Sequence, residues 1–180
     1  MTVQEAIQTG VTLEIARAYV AQGLSVIPVK ADGSKAPKLA GWREFATRLA
    51  TDEELVGWFS NRIQPAGLGL VCGAASRNLV VLDFEHKGGA CVFSEWRTGL
   101  DPNLAAYLIT CPIVRTPSGG RHVWVRLPEL VEGGKLARFA NGKTKIEVRG
   151  EGHQVLVPGC PLACHSSGEP YAFESWGWVQ

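Results

Sequence analysis

Three segments of the chain, 80–85, 121–127 and 143–149, alternate between apolar and polar residues. Because successive side chains of a β-strand point to opposite faces, each segment is predicted to form a strand with one apolar face. If these strands are neighbours in one sheet and share a register, their ionisable groups meet on one surface. The residues predicted to meet there are Asp83, Glu85, His122 and Glu147, and the same faces carry Trp124, Arg126, Lys145 and Arg149.

Helical patterns and further strand patterns surround these three segments. Apolar spacing predicts helices over 12–22, 52–61, 92–97 and 102–108, and the second opens with a capping box of Thr51 and Glu54. A strand over 24–29 should lie at a sheet edge or finish early, because Pro28 cannot donate a hydrogen bond. Further strands are predicted over 154–157 and over 67–72, the latter in a hairpin with 79–85. The pattern indicates an α+β fold with a mixed or antiparallel central sheet flanked by helices.

The composition predicts one globular domain over residues 1–180. Hydrophobic residues make up 46% of the chain, which excludes a disordered or fibrous protein. The 18 Lys and Arg residues nearly balance the 17 Asp and Glu residues, so any nucleic-acid surface must come from local clusters. The candidates for DNA contact are Lys30, Lys35, Lys38 and Arg43, together with Trp124 as a base-stacking group.

Cysteine usage and hydropathy bear on the compartment and on metals. The odd number of cysteines, five, and a first segment without a leader pattern predict an unexported protein of the reducing cytoplasm. No apolar run approaches membrane-spanning length, so no membrane partner is expected. Cys160, Cys164 and His165 stand close together, but a closed zinc site needs a fourth ligand. A loop with buried thiols is therefore favoured over a zinc site.

The neighbouring carboxylates of Asp83 and Glu85 repel each other unless a cation neutralises them, which indicates a divalent-metal site. Removing one carboxylate from such a cluster is expected to leave the fold at least as stable. An isolated Asp-x-Glu pattern, however, is more often a solvated strand end. Ahead of His122, Gly119 and Gly120 favour close backbone approach to an anion or, about equally, an ordinary β-turn.

Three ordered motifs, residues 82–85, 116–122 and 146–150, resemble those of the bifunctional primase-polymerase domains of plasmid and phage replication proteins. These domains belong to the archaeo-eukaryotic primase superfamily. Its motifs are an acidic pair two residues apart, a small residue followed by any residue and His, and a single later acid. All three are present in this order, and the resemblance covers about residues 12–160. The third motif has Glu147 where relatives often have Asp.

The resemblance implies a template-directed nucleotidyltransferase, a DNA primase and polymerase that uses two Mg²⁺ or Mn²⁺ ions. It assigns Asp83, Glu85 and Glu147 to catalysis and metal binding, and His122 to the phosphates of the incoming nucleotide. Gly120 is the small residue of the second motif, and Ser118, Arg121 and Arg149 are auxiliary nucleotide contacts. The implied partners are a single-stranded DNA template with its primer and NTPs or dNTPs.

The resemblance also implies a biological context. Relatives usually continue into a C-terminal helicase, so the chain is expected to be either an excised domain or a stand-alone protein. It is expected to act as a monomer in the cytoplasm of a bacterial, archaeal or phage-infected cell.

Two other functions compete with this one. A metal-dependent nuclease core would also use Asp83 with Glu147, although such cores normally place Lys where Arg149 stands. A non-catalytic module for single-stranded nucleic acid is the third reading, but clustered acids would hinder contact with phosphates.

Overall fold

The computed structural model describes residues 1–61, 63–87 and 90–177 of the chain, and these form an α+β fold, as predicted. The helices are α1 (Val3–Thr9), α2 (Thr12–Ala21), α3 (Asp52–Phe59), α4 (Val92–Thr98) and α5 (Pro102–Ile109). Helix α3 begins with the predicted capping box, in which Thr51 and Glu54 satisfy each other's backbone amides. Helix α1 was not predicted, although Thr2 and Glu5 form the same device at its start.

The strands form two main antiparallel sheets in the described residues. In chain order they are β1 (Ser25–Val29), β2 (Gly67–Val71), β3 (Leu79–Phe84), β4 (His86–Lys87), β5 (Ala90–Cys91), β6 (Ile113–Arg115), β7 (Arg121–Arg126), β8 (Gly134–Arg138), β9 (Thr144–Arg149), β10 (Gln154–Leu156) and β11 (Ala172–Ser175). The smaller sheet has the order β1-β2-β10, and the larger sheet has the order β11-β6-β7-β3-β9-β8. In the part of the chain that the structure describes, strands β4 and β5 form a separate two-stranded pair.

The three strands with alternating patterns are neighbours in the larger sheet. Strand β3 lies between β7 and β9, and Asp83 is the direct partner of His122 on one side and of Glu147 on the other. Cross-strand partners point to the same face, so these three side chains share one surface. The expectation of a common register is confirmed.

The predicted hairpin between 67–72 and 79–85 is wrong. Strand β2 pairs with β1 and β10, whereas β3 pairs with β7 and β9, so the two strands belong to different sheets. The connection between them contains a short 3-10 helix at Ala74–Ser76, which carries the chain from one sheet to the other. The edge position predicted for the strand with Pro28 is confirmed, because β1 is an outer strand.

Two hydrophobic cores cover the two faces of the larger sheet. The first joins that sheet to the smaller sheet and to α2 and α3, and it contains Tyr19, Leu70, Val81, Trp124 and Val155. The second packs α4 and α5 on the opposite face, and it contains Val80, Phe84, Phe93, Leu108 and Val123. Asp83, His122 and Glu147 therefore lie on the face that is turned towards the smaller sheet. Within the described residues, no helix is both long and apolar enough to cross a membrane.

Candidate active site

A cleft opens between the two sheets where the first core ends. Asp83, the next-to-last residue of β3, lies at the floor of the cleft, and β10 forms one wall. The residues that line the cleft are Lys35, Asp83, His122, Arg149, Gln154, Val155, Leu156 and Tyr171. Asp83, His122 and Arg149 make the larger-sheet side of the cleft polar, and the β10 wall contributes the polar Gln154 beside the apolar Val155 and Leu156.

Asp83 is held between two basic side chains. Its Oδ1 lies 3.5 Å from His122 Nε2, and its Oδ2 lies 3.3 Å from Arg149 Nη2. Burial, which leaves 18% of the side chain exposed, acts to raise the pKa of Asp83. The interactions with His122 and then Arg149 outweigh burial, and the net pKa lies below the ordinary value. The carboxylate is therefore ionised at neutral pH despite its burial.

Arg149 bridges two carboxylates. Its Nη2 atom lies 3.3 Å from Asp83 Oδ2 and 3.1 Å from Glu147 Oε2. A single cationic nitrogen thus stands where oxygens of two acids converge, and these oxygens are ligands that suit Mg²⁺ or Mn²⁺. The donor chemistry of this pair fits a divalent cation. Among the described residues, however, no group of three or more His, Cys, Asp or Glu side chains is arranged to hold a metal ion.

Glu85 is the acid that the structure does not bring into this group. It follows the last residue of β3, and its backbone N–H donates to Lys145 O at 3.1 Å. Its half-buried side chain is not among those described as lining the cleft. Alternation predicts that Glu85 lies on the same face as Asp83. Glu85 nevertheless lies outside the group of Asp83, His122, Glu147 and Arg149, because the cleft is centred before the end of β3.

His122 is almost fully buried, with 6% of the residue exposed, and its ring lies 6.0 Å from that of Tyr171. One ring nitrogen, Nε2, faces Asp83. The other, Nδ1, is buried and has no hydrogen-bond partner among the described residues. Buried polar atoms are normally satisfied, so an unsatisfied one beside a polar cleft is typical of a ligand-binding group.

The glycines ahead of His122 are explained by the turn between β6 and β7. Gly119 has φ of 90°, and its N–H donates to Thr116 O at 2.9 Å. A side chain at Gly120 would collide with the carbonyl oxygen of Phe84, so only glycine allows this turn to approach β3. Ser118 Oγ contacts Thr116 Oγ1 at 3.2 Å. The β-turn reading of this segment is confirmed, and its role towards an anion stays a prediction.

Arg121 does not join the group, contrary to its assignment as a nucleotide contact. It precedes His122 in β7, so its side chain lies on the opposite face of the sheet. Its Nε donates to Glu174 Oε2 at 2.6 Å, and its Nη1 donates to the carbonyl oxygens of Gly119 and Gly120. The guanidinium thus stabilises the turn and the outer strand β11.

The basic residues proposed for DNA contact separate into different surfaces. Lys35 adopts the left-handed conformation, with φ of 60°, and lines the cleft, while its carbonyl oxygen accepts from Gln154 Nε2 at 2.9 Å. Lys30 and Lys38 line a separate pocket. The Arg43 guanidinium lies 5.2 Å from the ring of Trp42. Only Lys35 of this set therefore reaches the cleft.

The assignment of Trp124 as a base-stacking group is wrong. Trp124 is 0% exposed, and its ring packs in the first core against Tyr19, Phe173 and Trp176. It shares the face of His122, but the smaller sheet and its helices cover that face two residues further along β7. Sharing a face with a polar site does not imply exposure.

Gln154 and Tyr171 line the cleft but were not predicted as site residues. Gln154 is the only polar residue of the predicted strand 154–157. Its contrast with the apolar residues that follow it is the sequence signal that could have indicated a site residue. Tyr171 lies C-terminal to residues 12–160, which carry the resemblance in sequence. Burial raises the pKa of its phenol above the ordinary value, so the hydroxyl keeps its proton.

The cysteine-containing loop lies beside the smaller sheet. Cys160 Sγ donates to Leu68 O at 3.1 Å and accepts from Leu68 N at 3.2 Å. Cys164 is buried, and His165 Nδ1 contacts Ser167 Oγ at 2.8 Å. The thiols at 160 and 164 therefore serve the packing and hydrogen bonding of this loop.

Comparison with protein families extends these observations. The family model described as bifunctional DNA primase/polymerase, N-terminal, matches residues 16–176. The match spans most of the chain and contains every residue that lines the cleft. It also runs past residue 160 to include Tyr171 and β11. A search of curated proteins finds no match.

Proposed function

The chain belongs to the bifunctional DNA primase/polymerase N-terminal domain family, and on that premise we propose that the cleft around Asp83 catalyses template-directed nucleotidyl transfer at a primer terminus. Family membership supports a DNA primase/polymerase function. The observation that carries the proposal is the register of β3, which makes His122 and Glu147 the cross-strand partners of Asp83. The proposed substrates are NTPs or dNTPs and a primed single-stranded DNA template.

In this reaction the primer 3′-hydroxyl attacks the α-phosphorus of the nucleotide, the bond to the β-phosphate breaks, and pyrophosphate leaves. Bound Mg²⁺ or Mn²⁺ ions would stabilise the attacking and leaving oxygens. Asp83 and Glu147 would hold them, because their oxygens already converge on one cationic nitrogen. Glu85 is the proposed third ligand, and it follows the last residue of β3, two residues after Asp83. The lowered pKa of Asp83 keeps that ligand ionised.

The basic groups of the cleft are proposed to bind the triphosphate. His122 offers a buried nitrogen without a partner, and Arg149 offers a guanidinium that is only partly used by two acids. Lys35, at the side of the same cleft, adds a third positive side chain. Charge-assisted contacts of this kind are each worth about 1.5 to 3 kcal/mol. Ser118 and Gly120 contribute through the turn that positions His122.

The biological context follows from the resemblance in sequence. We propose action in phage or plasmid DNA replication, in the cytoplasm, with a helicase domain of the same parent protein as a partner. The chain itself is proposed to be a monomer. These proposals are independent of the chemistry in the cleft.

Incubation with a labelled primer–template, nucleotides and MnCl₂ tests the proposed chemistry. Extension of the primer supports it, degradation assigns the cleft to a nuclease, and retention without change assigns the chain to a binding module. Asp83→Asn should remove extension. Asp52→Asn is the matched control, because Asp52 also pairs with an arginine, Arg17, but on the exposed surface of α3.

A further inference from the structure

One hairpin carries a local excess of positive charge. Residues 133–146 contain four basic residues and no acidic residue. The remainder of the chain therefore has 14 basic and 17 acidic residues, although the whole chain has a net charge of +1. We call the segment from Gly134 to Lys145, which contains β8 and the start of β9, the basic hairpin. Its cations are Lys135, Arg138, Lys143 and Lys145.

The basic hairpin lies beside the proposed active site. Strand β8 is the outer strand of the larger sheet and pairs with β9, and Lys135 is the direct partner of Glu147. Because cross-strand partners share a face, Lys135 stands on the same face as Asp83 and Glu147. The side chain of Lys135 is therefore on the side of the larger sheet that carries the proposed metal ligands.

The turn of the hairpin is closed by backbone hydrogen bonds, and three of its cations are accessible. Its turn is closed by Phe139 N–H donating to Lys143 O at 2.8 Å and by Gly142 N–H donating to Phe139 O at 2.9 Å. Lys135, Arg138 and Lys143 are exposed. Lys145 differs, since its Nζ lies 3.3 Å from Glu95 Oε2. Three cations of the hairpin are thus exposed to solvent.

We propose that the basic hairpin binds the phosphate backbone of primer–template DNA next to the cleft. The proposal rests on the proposed function. DNA carries one negative charge about every 1.7 Å of helix axis, and its binding depends on neutralisation of phosphates by Lys and Arg. With acids in excess over the rest of the chain, the basic hairpin is the surface best suited to that task. It would bind DNA without reading its sequence, because backbone contacts carry no base information.

The competing explanation is that lysines on an outer strand prevent it from pairing with another sheet edge. That explanation predicts no effect on DNA affinity when the lysines are replaced. It predicts instead that their replacement promotes self-association.

The test compares two double variants that each remove two exposed cations. Lys135→Gln/Lys143→Gln alters the basic hairpin. Arg97→Gln/Arg115→Gln alters α4 and β6, where both side chains point away from the cleft face. Fluorescence anisotropy with fluorescein-labelled primer–template DNA measures affinity between 0.05 and about 0.3 M salt. Lys135→Arg/Lys143→Arg keeps the charge and should preserve binding.

The proposal predicts that the hairpin variant binds DNA at least about tenfold more weakly at about 0.1 M salt. Its log affinity should also depend on log salt with a slope smaller by about 1 to 2. The DNA affinity of the control variant should fall by less than about threefold. Equal affinities of the two glutamine variants would overturn the proposal, and self-association of the hairpin variant with unchanged affinity would assign the lysines to edge protection.

This outcome is separate from that of the proposed function, because the binding assay requires no catalysis. If the unmodified chain binds DNA through the basic hairpin but extends no primer, the proposed function fails and the hairpin proposal stands. If the unmodified chain extends primers while the hairpin variant binds DNA normally, the hairpin proposal fails and the proposed function stands.

Discussion

Replacement of Asp83 by Asn should destabilise the protein even in the absence of metal. The sequence alone led to the opposite expectation, because carboxylates that repel each other are relieved when one is removed. In the structure the repulsion is already reduced, since Arg149 bridges Asp83 and Glu147, and His122 lies 3.5 Å from Asp83. Loss of the negative charge leaves the largely buried His122 without the carboxylate that its Nε2 faces, and leaves Arg149 with Glu147 as the remaining acid of the pair.

The expected loss follows from the contacts of Asp83. A charge-assisted contact contributes about 1.5 to 3 kcal/mol, and the partial exposure of Arg149 lets water replace part of it. We therefore expect the Asn variant to lose about 1 to 3 kcal/mol in free energy of unfolding. For a chain of this size, that corresponds to a fall in Tm of roughly 3 to 10 °C.

The loss should depend on pH in a defined direction. The folded pKa of Asp83 is lowered, so its stabilising contribution is fully present above its unfolded pKa of about 4. That contribution disappears as the pH falls through the lower, folded pKa. The difference in stability between the unmodified protein and Asp83→Asn should therefore be largest at neutral pH and shrink below about pH 4.

Thermal unfolding followed by circular dichroism, in EDTA and from pH 3 to 7, measures this difference. Glu85→Gln, outside the cluster, and Asp52→Asn, on the exposed surface, are the controls and should unfold close to the unmodified protein. An Asn variant of equal or greater stability at pH 7 would refute the reasoning. It would mean that the acids repel each other despite Arg149.

Three further predictions concern the basic groups of the cleft. His122→Ala should raise the Kd for nucleotide at least about tenfold, measured by calorimetry with a chain-terminated primer, while DNA affinity barely changes. Arg149→Gln should bind Mn²⁺ several-fold more tightly in calorimetric titration, because a competing cation leaves the two carboxylates. Lys35→Ala should weaken nucleotide binding, whereas Lys38→Ala, which faces a separate pocket, should leave it unchanged.

Each of these predictions has a clear contrary result. Unchanged nucleotide affinity with a slower chemical step would assign His122 to proton transfer, with a limb of the pH-rate profile lost near neutrality. Equal or weaker Mn²⁺ binding by Arg149→Gln would show that the guanidinium does not compete with a metal ion. Equal effects of the two lysine variants would place Lys35 outside the nucleotide site.

The sequence was sufficient to predict the centre of the site because a strand has a fixed period of two. Once β3, β7 and β9 are neighbours, alternation alone brings Asp83, His122 and Glu147 to one face. The capping box at Thr51 was equally local, and α3 begins where it predicts. Both features depend on residues within one element and on backbone geometry.

Features that depend on packing between elements could not be predicted in this way. The prediction of a hairpin between β2 and β3 is wrong because these strands, although consecutive in sequence, belong to different sheets. Trp124 shares the face of the acids but lies beneath the smaller sheet, and Arg121 is occupied by Glu174. Lys35 lies at the cleft in a loop whose position depends on contacts with other elements, among them the hydrogen bond from Gln154 Nε2 of β10 to Lys35 O.

The most direct test of the central claim is template-dictated addition of a single nucleotide. Four primer–templates that differ only in the first templating base are each incubated with one nucleotide at a time and MnCl₂ or MgCl₂. The account predicts that the unmodified protein adds the complementary nucleotide on each template, and that Asp83→Asn and Glu147→Gln add none while Asp52→Asn behaves normally. Addition that ignores the template, shortening of the primer, or full activity of Asp83→Asn would contradict it.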